Sequence, residues 1–397
     1  MDYFSRFKRK IIEYYLVLLR AIISTHKRDK KLIVYGGALD LFIDNAKHLF
    51  IINNQSMPQY RHVWLTRSNE VLERVRSLGF EAELSDSKIG RNILYHAGMV
   101  IYDNRIDEFA SHNLASGAIR FNLWHGIPGK RIGLIKTDPP KPYSLQSAFK
   151  YKYLMKHTYG DYVLTTSKNM VATMSAAFEV LSKDIIVSDQ PRNHVFYMTP
   201  QELDGFLGKY GDEKEKRLYN ELKNEKRQKV IYMPTFRDAD PEYIYKAIPD
   251  WDDFNSFLGC NNIVLYLKVH RVTPLPQGLN YSNIRVIDNS LDIYPILPLF
   301  DRLITDYSSI MFDYALMRKP IIIYDYDLES YVANSRNVFK SFRNLLKKLS
   351  EAKGYDELKR LMTKIDSTIE RFPLGGYYDC PNDYSPIAGF ISKSMIN

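Results

Sequence analysis

Cysteine is nearly absent. The 397 residues hold two, Cys260 and Cys380, far apart and without a C-x-x-C spacing. That excludes a disulfide framework and a thiolate metal site and leaves two free thiols of a reducing compartment. No G-x-G-x-x-G follows the first apolar run, and no Walker A, H-E-x-x-H or G-x-S-x-G sequence occurs. Dinucleotide-fingerprint, P-loop, zincin and serine-hydrolase chemistries are set aside on that ground. Tyrosine is abundant at 30 residues, yet no RNA-recognition signature or helix-turn-helix pattern accompanies it, so no nucleic-acid partner is expected. Internal repeats are missing, as is any signal-peptide cleavage site.

What remains is a globular composition, 45% apolar and 25% charged, in a chain too long for one core. The formal net charge is +9, which suits an anionic membrane or a phosphorylated substrate. The cations crowd the start: Arg6, Lys8, Arg9, Lys10, Arg20, Lys27, Arg28, Lys30 and Lys31. Between them Phe4, Phe7, Ile11, Ile12, Tyr15, Leu18, Leu19, Ile22 and Ile23 recur at spacings of three, four and seven. This predicts a basic amphipathic helix over 1–30 that lies in a membrane interface; the alternative is a helix docked on the protein itself. Its longest uncharged run, 14–19, is far too short to span a bilayer.

From residue 31 on, strand-like apolar runs alternate with helical patterns. Strands are expected at 32–35, 61–65, 99–102, 119–124 and 162–165, and helices at 69–78 and 168–181. A polar stretch at 199–229 includes the charge block 212–217, which reads as a solvated helix face. A second α/β series follows, with strands at 229–233, 263–269, 284–287, 302–305 and 320–324. Many runs are continuously apolar, as in parallel sheets buried on both faces. The expected fold class is α/β: two doubly wound αβα domains, 31–198 and 199–397, facing a cleft, with final helices that cross back. Ligands of such sheets sit at the carboxyl ends of strands.

The chemistry-bearing residues cluster at those ends. Trp124-His125-Gly126-Ile127-Pro128-Gly129-Lys130-Arg131 runs a strand into a histidine, a glycine-rich loop and two cations. His125 suits general-base work near neutral pH; Gly126 permits close backbone approach; Lys130 and Arg131 suit a phosphate. Pro234-Thr235-Phe236-Arg237-Asp238 follows another strand, with Thr235 as a hydroxyl donor and Arg237 as a bidentate phosphate ligand or a partner of Asp238. Lys268 and His270 share a face if the strand alternates through them, and there they would offset charge on a departing phosphate. In Thr305-Asp306-Tyr307-Ser308-Ser309 a helix starts, with Asp306 or Ser308 as N-cap and Ser308 and Ser309 at an anion site. Glu329 is a candidate for ribose hydroxyls. A metal at Asp325-Tyr326-Asp327 is disfavoured.

These motifs resemble the CDP-glycerol glycerophosphotransferase family of teichoic-acid primases and polymerases. The loop 124–133 resembles its W-H-G-T-P-x-K-x-x-G, 234–238 its P-T-W-R-D, 268–270 its K-x-H-P strand end, and 304–331 its I-T-D-Y-S-S and Y-D-L-E-x-Y segments. Asp44-Asn45-Ala46-Lys47 and Pro191-Arg192-Asn193 also resemble family landmarks. Ile127, Arg271 and His194 depart from the pattern. The resemblance implies a GT-B fold and transfer of glycerol phosphate from CDP-glycerol to a hydroxyl of a lipid-linked acceptor, in teichoic-acid or capsule synthesis. His125 becomes the base. His270, Ser308 and Ser309 become donor-phosphate ligands, aided by Thr235, Arg237, Lys268 and Asp306. No metal or cofactor is required, CDP-glycerol being a substrate. An enzyme peripheral to the cytoplasmic face of the plasma membrane is expected. No extra acceptor-binding domain is evident, which favours a compact, primase-like role. The rivals are a CDP-ribitol enzyme, a GT-B nucleotide-sugar glycosyltransferase, and a non-catalytic membrane-associated binding protein.

Overall fold

Continuous runs of β-branched and aromatic residues become the inner strands of two parallel sheets. The computed structural model describes residues 3–136, 156–237, 242–270, 273, 278–334, 338–346, 348–349, 351–364 and 372–396, with backbone alone for 3–10, 136, 156–157, 332–334 and 351. Arg271 and Asp238 lie outside the described residues. The chain divides into two units. The first holds Met1–His125, Gly133–His194 and Tyr378–Asn397; the second holds Gly126–Ile132 and Val195–Tyr377. The last helix, Ser385–Ile396, therefore belongs to the first unit.

The first unit contains β1 (Asp29–Gly36), β2 (Arg61–Thr66), β3 (Ala82–Leu84), β4 (Ala97–Tyr102), β5 (Ile119–Asn122), β6 (Tyr162–Thr165) and β7 (Ile185–Val187). They form one parallel sheet in the order β3-β2-β1-β4-β5-β6-β7. Ile33, Val34 and Tyr35 of β1 and Val100 and Ile101 of β4 are fully buried, as central strands covered on both faces must be. The strand order reverses between β1 and β4, and the crevice at that reversal is where a doubly wound sheet binds ligands.

The second unit repeats the plan with β8 (Gln228–Met233), β9 (Ile263–Leu267), β10 (Ile284–Val286), β11 (Arg302–Thr305), β12 (Ile321–Tyr324) and β13 (Glu351–Ala352). All neighbours are parallel in the order β10-β9-β8-β11-β12-β13. Here the reversal lies between β8 and β11. Two doubly wound, GT-B-like units are thus the architecture.

Two strands stop short of their apolar runs. β5 ends at Asn122 because Trp124 turns into the left-handed region, φ 54°. β9 ends at Leu267. The alternation expected to place Lys268 and His270 on one face therefore does not hold: Lys268 is buried and His270 exposed. The charge block becomes the helix Glu213–Asn224, capped reciprocally by Asp212 and Glu215. Its outer residues are solvated, but Glu215 is fully buried and also accepts from the Asp292 N–H at 3.2 Å.

The N-terminal helix spans Tyr3–Ile23. Val17, Arg20 and Ile23 face inward, and Arg20 Nε donates to Asn113 Oδ1 at 2.6 Å. A second stripe, Ile11, Tyr15, Leu18 and Ile22, is exposed at 53–62%. The helix thus docks by one face and presents another apolar face to solvent. Side chains of Phe4, Arg6, Phe7, Lys8, Arg9 and Lys10 lie outside the described residues. Among the described residues no helix is long and apolar enough to cross a membrane.

Candidate functional site

Each switch point carries its own set of polar residues. In the first unit the chain leaves β5 and makes an elbow at Trp124-His125. An L-residue in the left-handed region costs about 1–2 kcal/mol, so the surroundings must hold Trp124 there. They do so by side-chain hydrogen bonds. Asn122 Oδ1 accepts from the Trp124 N–H at 2.8 Å, Asn45 Nδ2 donates to the Trp124 carbonyl at 2.9 Å, and Arg192 Nη2 donates to the His125 carbonyl at 3.1 Å. The Trp124 ring lies against the imidazole, centroids 4.0 Å apart, and against Phe178 at 4.8 Å.

The groups that hold the elbow are buried. Asp44, Asn45, Arg192 and Asn193 are each at most 5% exposed, a placement that polar side chains adopt only when paired. Arg192 Nη1 meets Asp44 Oδ1 at 2.6 Å, and its backbone N–H donates to Asn45 Oδ1 at 3.1 Å. Asn45 Nδ2 also reaches Gln190 Oε1 at 3.2 Å. Asp103, just past β4, accepts from the Ala46 N–H at 2.7 Å. On this base His125 itself is exposed. Its Nδ1 sits 3.4 Å from the Asp103 carbonyl. A carbonyl only accepts, so this long contact favours the Nδ1–H tautomer and leaves Nε2 as the basic nitrogen. One departure from the family pattern finds its partner here: His194 Nε2 lies 2.8 Å from Nδ1 of buried His48.

In the second unit β8 and β11 end side by side, bringing Thr235, Arg237, Asp306, Ser308 and Ser309 together. Arg237, whose sequence neighbour Asp238 lies outside the described residues, reaches three other groups. Its Nη2 meets Asp306 Oδ2 at 2.8 Å, its Nε meets Asp327 Oδ2 at 2.8 Å, and its Nη1 donates to the Thr235 carbonyl at 2.6 Å. The guanidinium also faces the rings of Tyr331, Tyr307 and Tyr243 at 4.5, 5.1 and 5.4 Å. Burial opposes its charge, but Asp306 and Asp327 outweigh that and raise its pKa further. Burial, with the same two carboxylates, also pushes the Tyr307 phenol far up, so it remains a hydroxyl that donates to Asp327 Oδ1 at 3.1 Å.

Asp306 is fully buried and also accepts from the Thr235 N–H at 2.9 Å. It is therefore not the N-cap expected from the sequence. Ser309 occupies that position in a helical conformation, with no side-chain cap, ahead of the short helix Ile310–Ala315. The hydroxyls of Ser308 and Ser309, both half-buried, have no hydrogen-bond partner among the described residues. Nor does the buried Thr235 Oγ1.

Lys268 Nζ lies on the carbonyls of Asp288 and Asn289 at 3.2 and 3.3 Å. His270 is exposed beside the Phe236 ring, centroids 5.7 Å apart. Gly126 is buried with φ 148°. Gly129 packs against Phe342, whose ring carbon would lie 2.7 Å from an added Cβ. Lys130 Nζ donates to the Tyr331 hydroxyl at 3.1 Å, while half-buried Arg131 makes no side-chain hydrogen bond among the described residues. Glu329 is exposed in the first turn of the helix Leu328–Asn334. Among the described residues there is no group of three or more His, Cys, Asp or Glu able to hold a metal ion.

The sequence alone assigns no role to Asp44, Asn45, Asp103, Arg192 or Tyr331, and offers Asp327 only among the acids past a strand end that suit ribose hydroxyls. The signals were partly visible. Asp103 and Asp327 follow apolar strand runs, and the 44–47 and 191–193 segments were singled out without a function.

Comparison with known proteins places this geometry. Residues 18–368 match the family described as CDP-glycerol:poly(glycerophosphate) glycerophosphotransferase. The teichoic acid poly(glycerol phosphate) polymerase of Staphylococcus epidermidis is 23% identical over 83% of this chain and 46% of its own length. The teichoic acid ribitol-phosphate primase of Bacillus spizizenii is 28% identical over 57% of this chain and 56% of its own. The chain thus spans about half the length of these relatives. A solved structure of the wall teichoic acid polymerase TagF, a histidine-to-alanine variant, superposes with a TM-score of 0.72 at 19% identity, covering 100% of this chain and 99% of that one. This likeness shows the fold. A histidine-to-asparagine variant of the same polymerase was solved with CDPG.

Proposed function

The chain belongs to the CDP-glycerol:poly(glycerophosphate) glycerophosphotransferase family, and we propose that it transfers glycerol phosphate from CDP-glycerol to a hydroxyl of a lipid-linked acceptor. His125 Nε2 takes the proton of the acceptor hydroxyl. The acceptor oxygen attacks the glycerol-bearing phosphorus, the bond from that phosphorus to the bridging oxygen breaks, and CMP leaves with the bonding pair. Such phosphoryl chemistry depends mainly on positioning and on stabilising charge. His270 offsets the charge of the departing phosphate, and the hydroxyls of Thr235, Ser308 and Ser309 hold the diphosphate. Arg237, Asp306 and Lys268 are assigned to shaping the loops that carry those groups, because their charged ends already lie on carboxylates, N–H groups or carbonyls. Lys130, Arg131 and Glu329 are secondary candidates. Every step is assigned to side chains, without a cofactor.

The observation that carries the reading is His125: an exposed imidazole on a buried polar scaffold at a strand end. The TagF variant solved with CDPG supports the donor class. The relative named as a ribitol-phosphate primase makes CDP-ribitol the second donor to test. The exposed stripe Ile11, Tyr15, Leu18 and Ile22, beside exposed Lys27, Lys30 and Lys31, supports contact with an anionic membrane that holds the acceptor.

The test is CMP release from CDP-glycerol and from CDP-ribitol with a lipid-linked acceptor analogue. His125→Ala and His270→Ala are each expected to lower turnover about 10²–10⁴-fold, without loss of fold because both rings are exposed. CMP from one donor names the polyol. Near-normal turnover in His125→Ala removes it as the base. No CMP from either donor, in folded protein and with several acceptors, shifts the reading to a nucleotide-sugar glycosyltransferase.

A further inference from the structure

We propose that Asn45 and Arg192 are positioning residues for His125, clamping two successive carbonyls of the elbow so that its imidazole is held at one place. The inference rests on His125 acting as the base. It gives a role to the two segments, 44–47 and 191–193, that the reaction otherwise leaves unused.

The need for the clamp follows from the elbow's backbone. β5 ends at Asn122, and Trp124 adopts φ 54°. From there the carbonyls of Trp124 and His125 lie outside any strand ladder. Carbonyls on a buried scaffold must find donors. Asn45 Nδ2 serves the first at 2.9 Å and Arg192 Nη2 the second at 3.1 Å. These donors are themselves aimed. Arg192 is fixed by Asp44 at 2.6 Å, and Asn45 Oδ1 accepts the Arg192 N–H at 3.1 Å. The two segments, far apart in sequence, thus interlock through both side chains and backbone. Asp44 holds φ 67° at the start of its helix, a strained conformation kept in place by the same ion pair. Asn45 and Arg192 both donate to the backbone that bears the imidazole, and it is through that backbone that each acts. The ring's Nδ1 lies 3.4 Å from the Asp103 carbonyl. A sub-ångström shift of the elbow would move Nε2 relative to an acceptor hydroxyl, and misplacement of about 1 Å costs about 100-fold in rate.

Arg192→Lys retains a cation for Asp44 but has no fork to reach the His125 carbonyl. Asn45→Ala removes the donor to the Trp124 carbonyl and leaves the ion pair. Each is expected to lower kcat for CMP release about 100-fold, with the Kd for CDP-glycerol, measured calorimetrically, changed by less than about twofold. Leu72→Ala, in the core of the same unit, controls for lost stability and should lower the unfolding midpoint without that fall in kcat. The deciding measurement is the double variant. In a His125→Ala background, Arg192→Lys and Asn45→Ala should leave the residual rate unchanged, since they act through a group already removed. A further fall by the same factor would overturn the positioning role, as would wild-type kcat in both single variants. If Arg192→Lys fails to fold, Asn45→Ala alone decides. Full turnover in His125→Ala would instead refute the base assignment.

Discussion

Arg237 Nη2 and Asp306 Oδ2 lie 2.8 Å apart with the two side chains 4% and 0% exposed. A guanidinium so placed binds the ends of β8 and β11 to each other and, through Asp327, to the segment after β12. Removing one member of a buried pair leaves the other charge unpaired and out of water. Arg237→Met, which keeps length but not charge, is therefore expected to cost about 3–5 kcal/mol, seen as a lower urea midpoint. An unchanged midpoint would mean that Asp306 is not held by this arginine.

Gly129 and Gly205 are expected to respond in opposite ways to alanine. At Gly129 an added Cβ would sit 2.7 Å from the Phe342 ring, and such overpacking typically costs about 1–3 kcal/mol. The helix Pro200–Tyr210 leaves open space at Gly205, where alanine should gain about 0.5–1 kcal/mol. Thermal midpoints of the two variants compare them directly. Equal shifts would contradict the packing of the Gly126–Ile132 segment described above.

Burial lowers the pKa of His62 below its ordinary 6.5, although the hydrogen bond its Nε2 donates to the Met57 carbonyl partly opposes this. Between the folded value and 6.5 the unfolded chain binds the proton and the folded chain does not, so stability rises with pH across that window. As pH falls below 6.5 stability should decline, and the decline from this group ends once the pH passes the folded value. His62→Asn should flatten the slope between pH 5 and 7 in a thermal-midpoint series. The same slope in the variant would assign it to other groups.

The exposed stripe of the N-terminal helix should bind vesicles containing anionic lipid. Leu18→Glu and Ile22→Glu remove apolar area and add charge of the wrong sign, so cosedimentation should fall at least about tenfold, which corresponds to 1.4 kcal/mol. Because surface attraction to anionic lipid is screened within a Debye length, raising salt should weaken wild-type binding in the same direction. Unaltered cosedimentation in both variants would leave the helix as a docking element only.

Local pattern determined much of this protein. The apolar runs that became β1, β2, β4, β6, β8, β11 and β12 were legible because a strand buried on both faces must be apolar throughout. The strand-end rule points to His125, His270, Thr235 and Ser308 from the sequence alone. The short strands β3, β7 and β13 were not legible, although the equally short β10 was, within the run 284–287. What tertiary structure decided was how the charged groups are used. Whether Arg237 faces a ligand or Asp306 and Asp327 depends on residues 69 and 90 positions away, and no local spacing encodes such a pairing. Lys268 was turned onto two carbonyls because β9 ended one residue before it. Asp44 and Arg192, 148 positions apart, met only when the sheet order set their loops side by side. Sequence specifies which residues can carry charge or hydrogen bonds. Only long-range packing decides which of those groups are satisfied internally and which remain open for chemistry.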